Sequence, residues 1–345
     1  MLRSPASSFC VAVVLLLATA IGVDAQASTA QIGRVLFVPL GGLEQWISIR
    51  GEDRSNPVLL VVHGGPGEAQ WPAADIFKPW EKAFTVVQWD QRGTGHTYGH
   101  YDEKTPDVTL DRISKDGVEL AVYLSRELHK KKIIVLGHSW GSLVAVHMVQ
   151  LRPELFAAYV GTGQVSSWAA NVNTQFELHL AKARREGDEA QVKKLEAIGH
   201  PDPANTNQYF SLGSLISIMA PSDQDWIKHL RSQLPELIAR EPEQAKNLEE
   251  GMMFTGQRVL PDQVATDLPK TAFEIQTAFF VIDGQHDHVA PTSAAVEYFN
   301  SVKAPTKELV LIPNAGHFAW MTVPDKFLET LVSKVRPVAI ARGAN

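Results

Sequence analysis

The sequence predicts an α/β protein, a doubly wound and mostly parallel sheet that carries a helical insertion. Three observations predict it. Short β-branched runs alternate with helical patterns along most of the chain, as parallel sheets require. Between about Ser166 and Lys270 the texture changes to stretches such as AKARREGDEAQVKKLEAIG, with no buried-strand runs. The chain has 345 residues, 45% hydrophobic and 20% charged, enough for one large core and a smaller subdomain.

The first segment is expected to be removed before folding. Met1-Leu2-Arg3 carries positive charge, Phe9 to Ile21 is an apolar run, and Val23-Asp24-Ala25 offers small residues at a cleavage site. Residues 1–25 therefore read as a secretory signal peptide, too short to span a membrane as a mature helix. Processing after Ala25 gives a protein that starts at Gln26 and is secreted or periplasmic, with no stable membrane insertion. The single cysteine, Cys10, lies inside that segment, so disulfides, thiol catalysis and cysteine-bound metals are not expected. The formal net charge of −6 offers no basic footprint for nucleic acid.

In the mature chain, strands are expected at Trp46–Arg50, Val58–His63, Phe84–Trp89, Lys132–Leu136, Ala157–Val160, Ala278–Ile282 and Lys307–Ile312. Helices are expected at Asp111–His129, Trp140–Arg152, Thr292–Val302 and Asp325–Val335. The organisation is then a core over 26–165, a helical insertion over 166–270, a second core part over 271–337 and a loose tail over 338–345.

The chemistry centres on Gly137-His138-Ser139-Trp140-Gly141, placed where a strand meets a helix. It fits G-x-S-x-G, a turn so sharp that only small side chains fit two residues either side of the serine. A serine hydroxyl needs a base, and the base needs an orienting acid. Asp287 lies in the loop after Phe279-Phe280-Val281-Ile282 and is favoured as the acid over Asp283, which stands at the strand end. His317 lies in the turn after Glu308-Leu309-Val310-Leu311-Ile312 and is expected to be the base. His286 and His288 flank Asp287 without a carboxylate cluster, so no metal site is expected. An oxyanion needs two N–H donors: one is expected from Trp140, the other from Gly65, with Gly64 second, in Val61-Val62-His63-Gly64-Gly65-Pro66-Gly67. No phosphate-binding or zinc-protease motif is written in the chain.

HGGPG at 63–67, WDQRGTG at 89–95, GHSWGS at 137–142, GxxDxxxP at 284–291 and AGH at 315–317 together resemble the proline iminopeptidase-like branch of the α/β-hydrolase superfamily. The resemblance implies the α/β-hydrolase fold and a serine hydrolase that uses no cofactor. It also implies a helical cap over the site, with Ser139 as nucleophile, Asp287 as acid and His317 as base. Asp90 and Arg92 are then structural. In the cap the pattern departs: Thr206-Asn207-Gln208-Tyr209-Phe210 stands where the family carries Glu-x-His-Tyr-Phe, whose glutamate holds the substrate amine. Most cap acids, such as Glu186, Asp188, Glu189 and Glu196, sit in charge-mixed stretches that suit a solvated face. Glu177 lies in the apolar run Phe176-Glu177-Leu178-His179-Leu180 and is expected to project inward and line the pocket. The expected activity is an aminopeptidase of proline iminopeptidase type on small peptides or amides. The alternatives are a carboxylesterase on small esters and an inactive fold used for binding.

Overall fold

The computed structural model describes residues 31–345; the signal peptide expected over 1–25 lies outside the described residues. The strands are β1 (Ile32–Leu40), β2 (Leu43–Gly51), β3 (Val58–Val62), β4 (Thr85–Trp89), β5 (Ile133–His138), β6 (Phe156–Thr162), β7 (Ala278–Gly284) and β8 (Lys307–Ile312). They form one eight-stranded sheet in the order β1-β2-β4-β3-β5-β6-β7-β8. β1 and β2 run antiparallel to their neighbours, and from β4 to β8 every pairing is parallel. This is the α/β-hydrolase fold expected above.

Period-two alternation divides the central strands between two cores. Leu60, Val135, Tyr159 and Val281 point to one face, where the helices Leu110–Glu127, Trp140–Leu151 and Thr292–Ser301 cover them. Leu59, Ile134, Val160 and Ile282 point to the other, under Phe77, Trp80, Trp320 and Phe327. Both faces are buried, which is why these strands read as continuous apolar runs.

Two elements differ from expectation. β1 was not anticipated, because an edge strand needs no regular alternation: Val35 and Phe37 are exposed while Ile32, Val38 and Leu40 are buried. The expected loose tail after Pro337 is instead a packed helix, Arg336–Ala341. It continues directly from a π-helical turn, Leu331–Val335, and Pro337 stands just past that turn, where the regular N–H ladder is already interrupted. Ala339 and Ala344 are fully buried, and Arg342 Nε donates to the Ala157 carbonyl at 3.1 Å.

Between β6 and β7 the chain is helical, including Trp168–Glu186, Glu189–Ile198, Pro221–Arg240 and Pro242–Val264. Phe176, Leu180, Ala183, Leu195 and Leu212 form a small separate core there.

Arg92 and Asp116 form a buried ion pair, 2.7 Å from Nε to Oδ2, with side chains 1% and 0% exposed. The remaining guanidinium donors reach the carbonyls of Pro106 and Gly41. Asp116→Ala should destabilise the protein by roughly 3–5 kcal/mol, because it leaves a buried guanidinium without its counter-charge. Urea unfolding checks this; a loss below about 1 kcal/mol would mean the pair behaves like an exposed one.

Candidate active site

Ser139 sits between the end of β5 and the helix Trp140–Leu151 with φ 54° and ψ −122°. Such a conformation costs a non-glycine residue of order 1–3 kcal/mol and persists only where its surroundings enforce it. Here the enforcement is tight backbone packing. A Cβ on Gly137 would lie 2.3 Å from the Gly141 carbonyl oxygen, and one on Gly141 only 2.1 Å from that of Val62. The Ser139 N–H donates to the Thr162 carbonyl at 2.9 Å, tying the turn to β6. Trp140 opens the helix, where its N–H has no partner within the helix.

His317 Nδ1 lies 2.8 Å from Asp287 Oδ2, and both side chains are almost fully buried. A carboxylate can only accept, so Nδ1 carries the proton and Nε2 is the basic nitrogen. The other Asp287 oxygen accepts from the N–H groups of Val289 and Ala290 at 2.8 and 2.9 Å. Burial pulls the His317 pKa down, but the Asp287, Asp223 and Asp283 carboxylates outweigh it and leave it above the ordinary value. No hydrogen bond joins Ser139 Oγ to His317 among the described residues; such contacts are often long until substrate is bound.

Asp283 makes a different set of contacts. It accepts from the Gln164 N–H at 3.3 Å, and burial, reinforced by Asp287, pushes its carboxyl up to about 8. The orienting contact to the histidine therefore falls on Asp287. His138 packs its ring 4.9 Å from that of His317. Its Nε2 lies 3.1 Å from the His317 carbonyl, so Nε2–H donates. Burial holds its pKa well down, which keeps the ring neutral.

The loop after β3 brings Gly64 and Gly65 beside the elbow: a Cβ on Gly64 would lie 3.0 Å from that of Ser139. Gly65 has φ +108° and an exposed backbone facing the cavity. Gln91 braces this loop by donating to the His63 carbonyl at 2.9 Å, and its other amide atom accepts from the Trp140 indole at 3.3 Å. Asp90 holds His96 at 2.8 Å. The 89–95 segment thus supports the site from behind.

A cavity of about 130 Å³ opens at Ser139, Trp140 and Gly65, and the segment 168–263 covers it with Trp168, Asn171, Gln175, Tyr209 and Gln263. Gln175 Nε2 donates to the Val289 carbonyl at 2.6 Å, joining this cover to the Asp287 loop. Burial pushes the Tyr209 phenol up to about 12, so it stays neutral. Among the described residues no carboxylate or cation lines the cavity.

Glu177 is not where the sequence placed it. Its side chain is 57% exposed and lies 3.1 Å from His200. The helix Trp168–Glu186 buries Val172, Gln175, Phe176, His179, Leu180 and Ala183, and position 177 falls a third of a turn away from that face. The apolar neighbours misled because a period of 3.6 decides the face, whatever the adjacent residue types. Glu68, three residues past Gly65, keeps an exposed face. Desolvation by the surrounding protein pushes its carboxyl up, while His317 pulls it down.

One group facing His317 was missed outright. Asp223, fully buried in the first turn of the helix Pro221–Arg240, accepts from the His317 N–H at 2.7 Å and the Phe318 N–H at 3.1 Å. In sequence it reads as an acid at a helix start, and nothing local tells of a partner 94 residues away.

The alpha/beta hydrolase fold family matches residues 57–324. The chain is similar to the Probable aminopeptidase YbaC of Bacillus subtilis (strain 168), 26% identical over 307 residues that cover 86% of this chain and 94% of that protein. It is also similar to the Proline iminopeptidase of Lactobacillus delbrueckii subsp. bulgaricus, 28% identical over 59% of this chain and 65% of the relative. In three dimensions it resembles the proline iminopeptidase-related protein from Thermus thermophilus. The TM-score there is 0.64 at 18% identity, over 91% of this chain and 99% of that one, a likeness of fold.

Proposed function

The chain belongs to the alpha/beta hydrolase fold family, and from that premise we propose that it is a secreted or periplasmic serine hydrolase working through an acyl-enzyme. The observation that carries this reading is the Asp287–His317 contact beside a serine in strained elbow geometry. Ser139 Oγ attacks a carbonyl carbon while His317 Nε2 takes its proton, and Asp287 holds the imidazole in the required tautomer. The oxyanion meets the N–H of Trp140 and that of Gly65 or Gly64. His317 then returns the proton to the leaving group, and water repeats the sequence on the acyl-serine. No metal or cofactor enters these steps.

For the substrate we propose small aminoacyl amides or short peptides, an aminopeptidase of proline iminopeptidase type. The similarity to YbaC and to the Lactobacillus enzyme supports this. So does the surplus of carboxylates around His317, whose field favours an ammonium substrate. An ammonium withdrawn from water costs several kcal/mol unless an acceptor charge meets it. With Glu177 turned outward, we propose Glu68, whose carboxyl is electrostatically coupled to His317, as the carboxylate for this role. A second reading, a carboxylesterase on small esters, is favoured by the uncharged lining of the cavity.

A free-amine proline anilide, its N-acetylated form and a short-chain nitrophenyl ester separate the two. Glu68→Gln should raise KM for the free amine by roughly tenfold or more, since a charge-assisted hydrogen bond is worth about 1.5–3 kcal/mol, and leave the ester unchanged. Turnover of the acetylated anilide and ester at or above that of the free amine, with no selective effect of Glu68→Gln, would make carboxylesterase the better name.

A further inference from the structure

The start of the helix Pro221–Arg240 touches both loops that carry the acid and the base. Asp223 uses its two oxygens separately, one on the His317 N–H at 2.7 Å and one on the Phe318 N–H at 3.1 Å. A Cβ on Gly316 would lie 2.0 Å from Asp223 Oδ2 and 2.8 Å from the Ala220 Cβ, so the segments are in close contact. Two residues before Ala220, the Ile218 carbonyl lies 2.6 Å from His288 Nδ1, next in sequence to Asp287. The inserted helices therefore cover the cavity and also grip the catalytic loops from above.

We propose that Asp223 is a positioning residue for catalysis, a latch by which the cap holds the His317 backbone in register and adds negative charge beside its imidazole. This rests on the reading of Ser139, Asp287 and His317 as the catalytic groups. The latch acts in two ways. It aligns Nε2 by fixing the backbone on which the ring hangs, and misplacing a catalytic group by an ångström can cost about a hundredfold. It also stabilises the imidazolium formed when Ser139 loses its proton, alongside Asp287. The other titratable groups that act on His317 are His138, which stays neutral, and Glu68, which is coupled to it electrostatically. Burial, with Asp287 adding to it, leaves the Asp223 carboxyl above its ordinary value, although the two N–H groups pull it down by favouring its charged form.

Asp223→Asn keeps the shape but removes the charge and turns an amide N–H toward one of the two donors. On a short-chain nitrophenyl ester, kcat should fall roughly tenfold to a hundredfold with KM little changed. The acid limb of kcat/KM should move to lower pH, because a lost negative charge disfavours the protonated imidazole. A contact that merely supports the cap would lower the melting temperature and leave kcat and the limb in place; that result overturns the proposal. If the variant does not fold, native-state hydrogen exchange on the wild type decides. The His317 and Phe318 amides should open together with the first turns of the helix Pro221–Arg240, and their exchange while that helix stays protected would overturn the latch. Activity retained by Ser139→Ala would instead defeat the catalytic reading, leaving the exchange experiment to judge the latch.

Discussion

Ser139→Ala and His317→Ala are each expected to lower kcat by about 10⁴ to 10⁶ with the fold intact, by analogy with other serine triads. The two losses should be of similar size, and the double variant should be little worse than either single one. A nucleophile without its base, or a base without its nucleophile, accomplishes almost none of the same step. Ser139→Ala leaves no buried charge, since Ser139 is neutral and only partly buried, whereas His317→Ala takes a hydrogen-bond partner from the buried Asp287 carboxylate. Removing His317 frees a cavity beside Asp287, which still keeps the N–H groups of Val289 and Ala290. Circular dichroism should stay close to wild type for both variants, and the thermal melt of His317→Ala should lie below that of Ser139→Ala. A fluorophosphonate probe should label the wild type and not Ser139→Ala. A wild type that resists the probe and turns over no substrate would leave the inactive binding fold as the answer.

Asp287→Asn comes next in size, at about 10⁴ in kcat by analogy with the same change in another triad. An asparagine can present an N–H to His317 Nδ1 and so select the tautomer whose Nε2 is protonated and useless as a base. Asp283→Asn should cost no more than a few-fold at pH 7. Its carboxyl is pushed up to about 8, so it is already mostly neutral there, and the amide replaces a group of the same charge and size. The pH profile gives the sign. His317 must be neutral to act, and its pKa lies above the ordinary histidine value, so wild-type kcat/KM should fall as pH drops through that raised value. Above pH 8, where Asp283 ionises and adds to the field, Asp283→Asn should depart further from wild type. Full activity in Asp287→Asn together with loss in Asp283→Asn would reverse the assignment.

What could be read from the sequence by itself was whatever depends on neighbours in the chain. The strands announced themselves because burial on both faces makes Ile133-Ile134-Val135-Leu136 and Phe279-Phe280-Val281-Ile282 apolar throughout. The elbow did so because its turn tolerates only glycine at 137 and 141, and Asp287 and His317 because each lies in a loop just after a legible strand. Signals fail where a partner is remote or a face is set by rotation. Glu177 looked inward from its apolar neighbours, yet helical phase turns it to solvent. β1 lies at the sheet edge, where water accepts either pattern, and the tail after Pro337 looked loose although it continues a helix and packs on the core. Asp223 and His138 reach His317 across 94 and 179 residues. Their contacts exist only after the insertion docks on the sheet, because a buried N–H must find an acceptor wherever the packed chain brings one. No local pattern records which acceptor that will be.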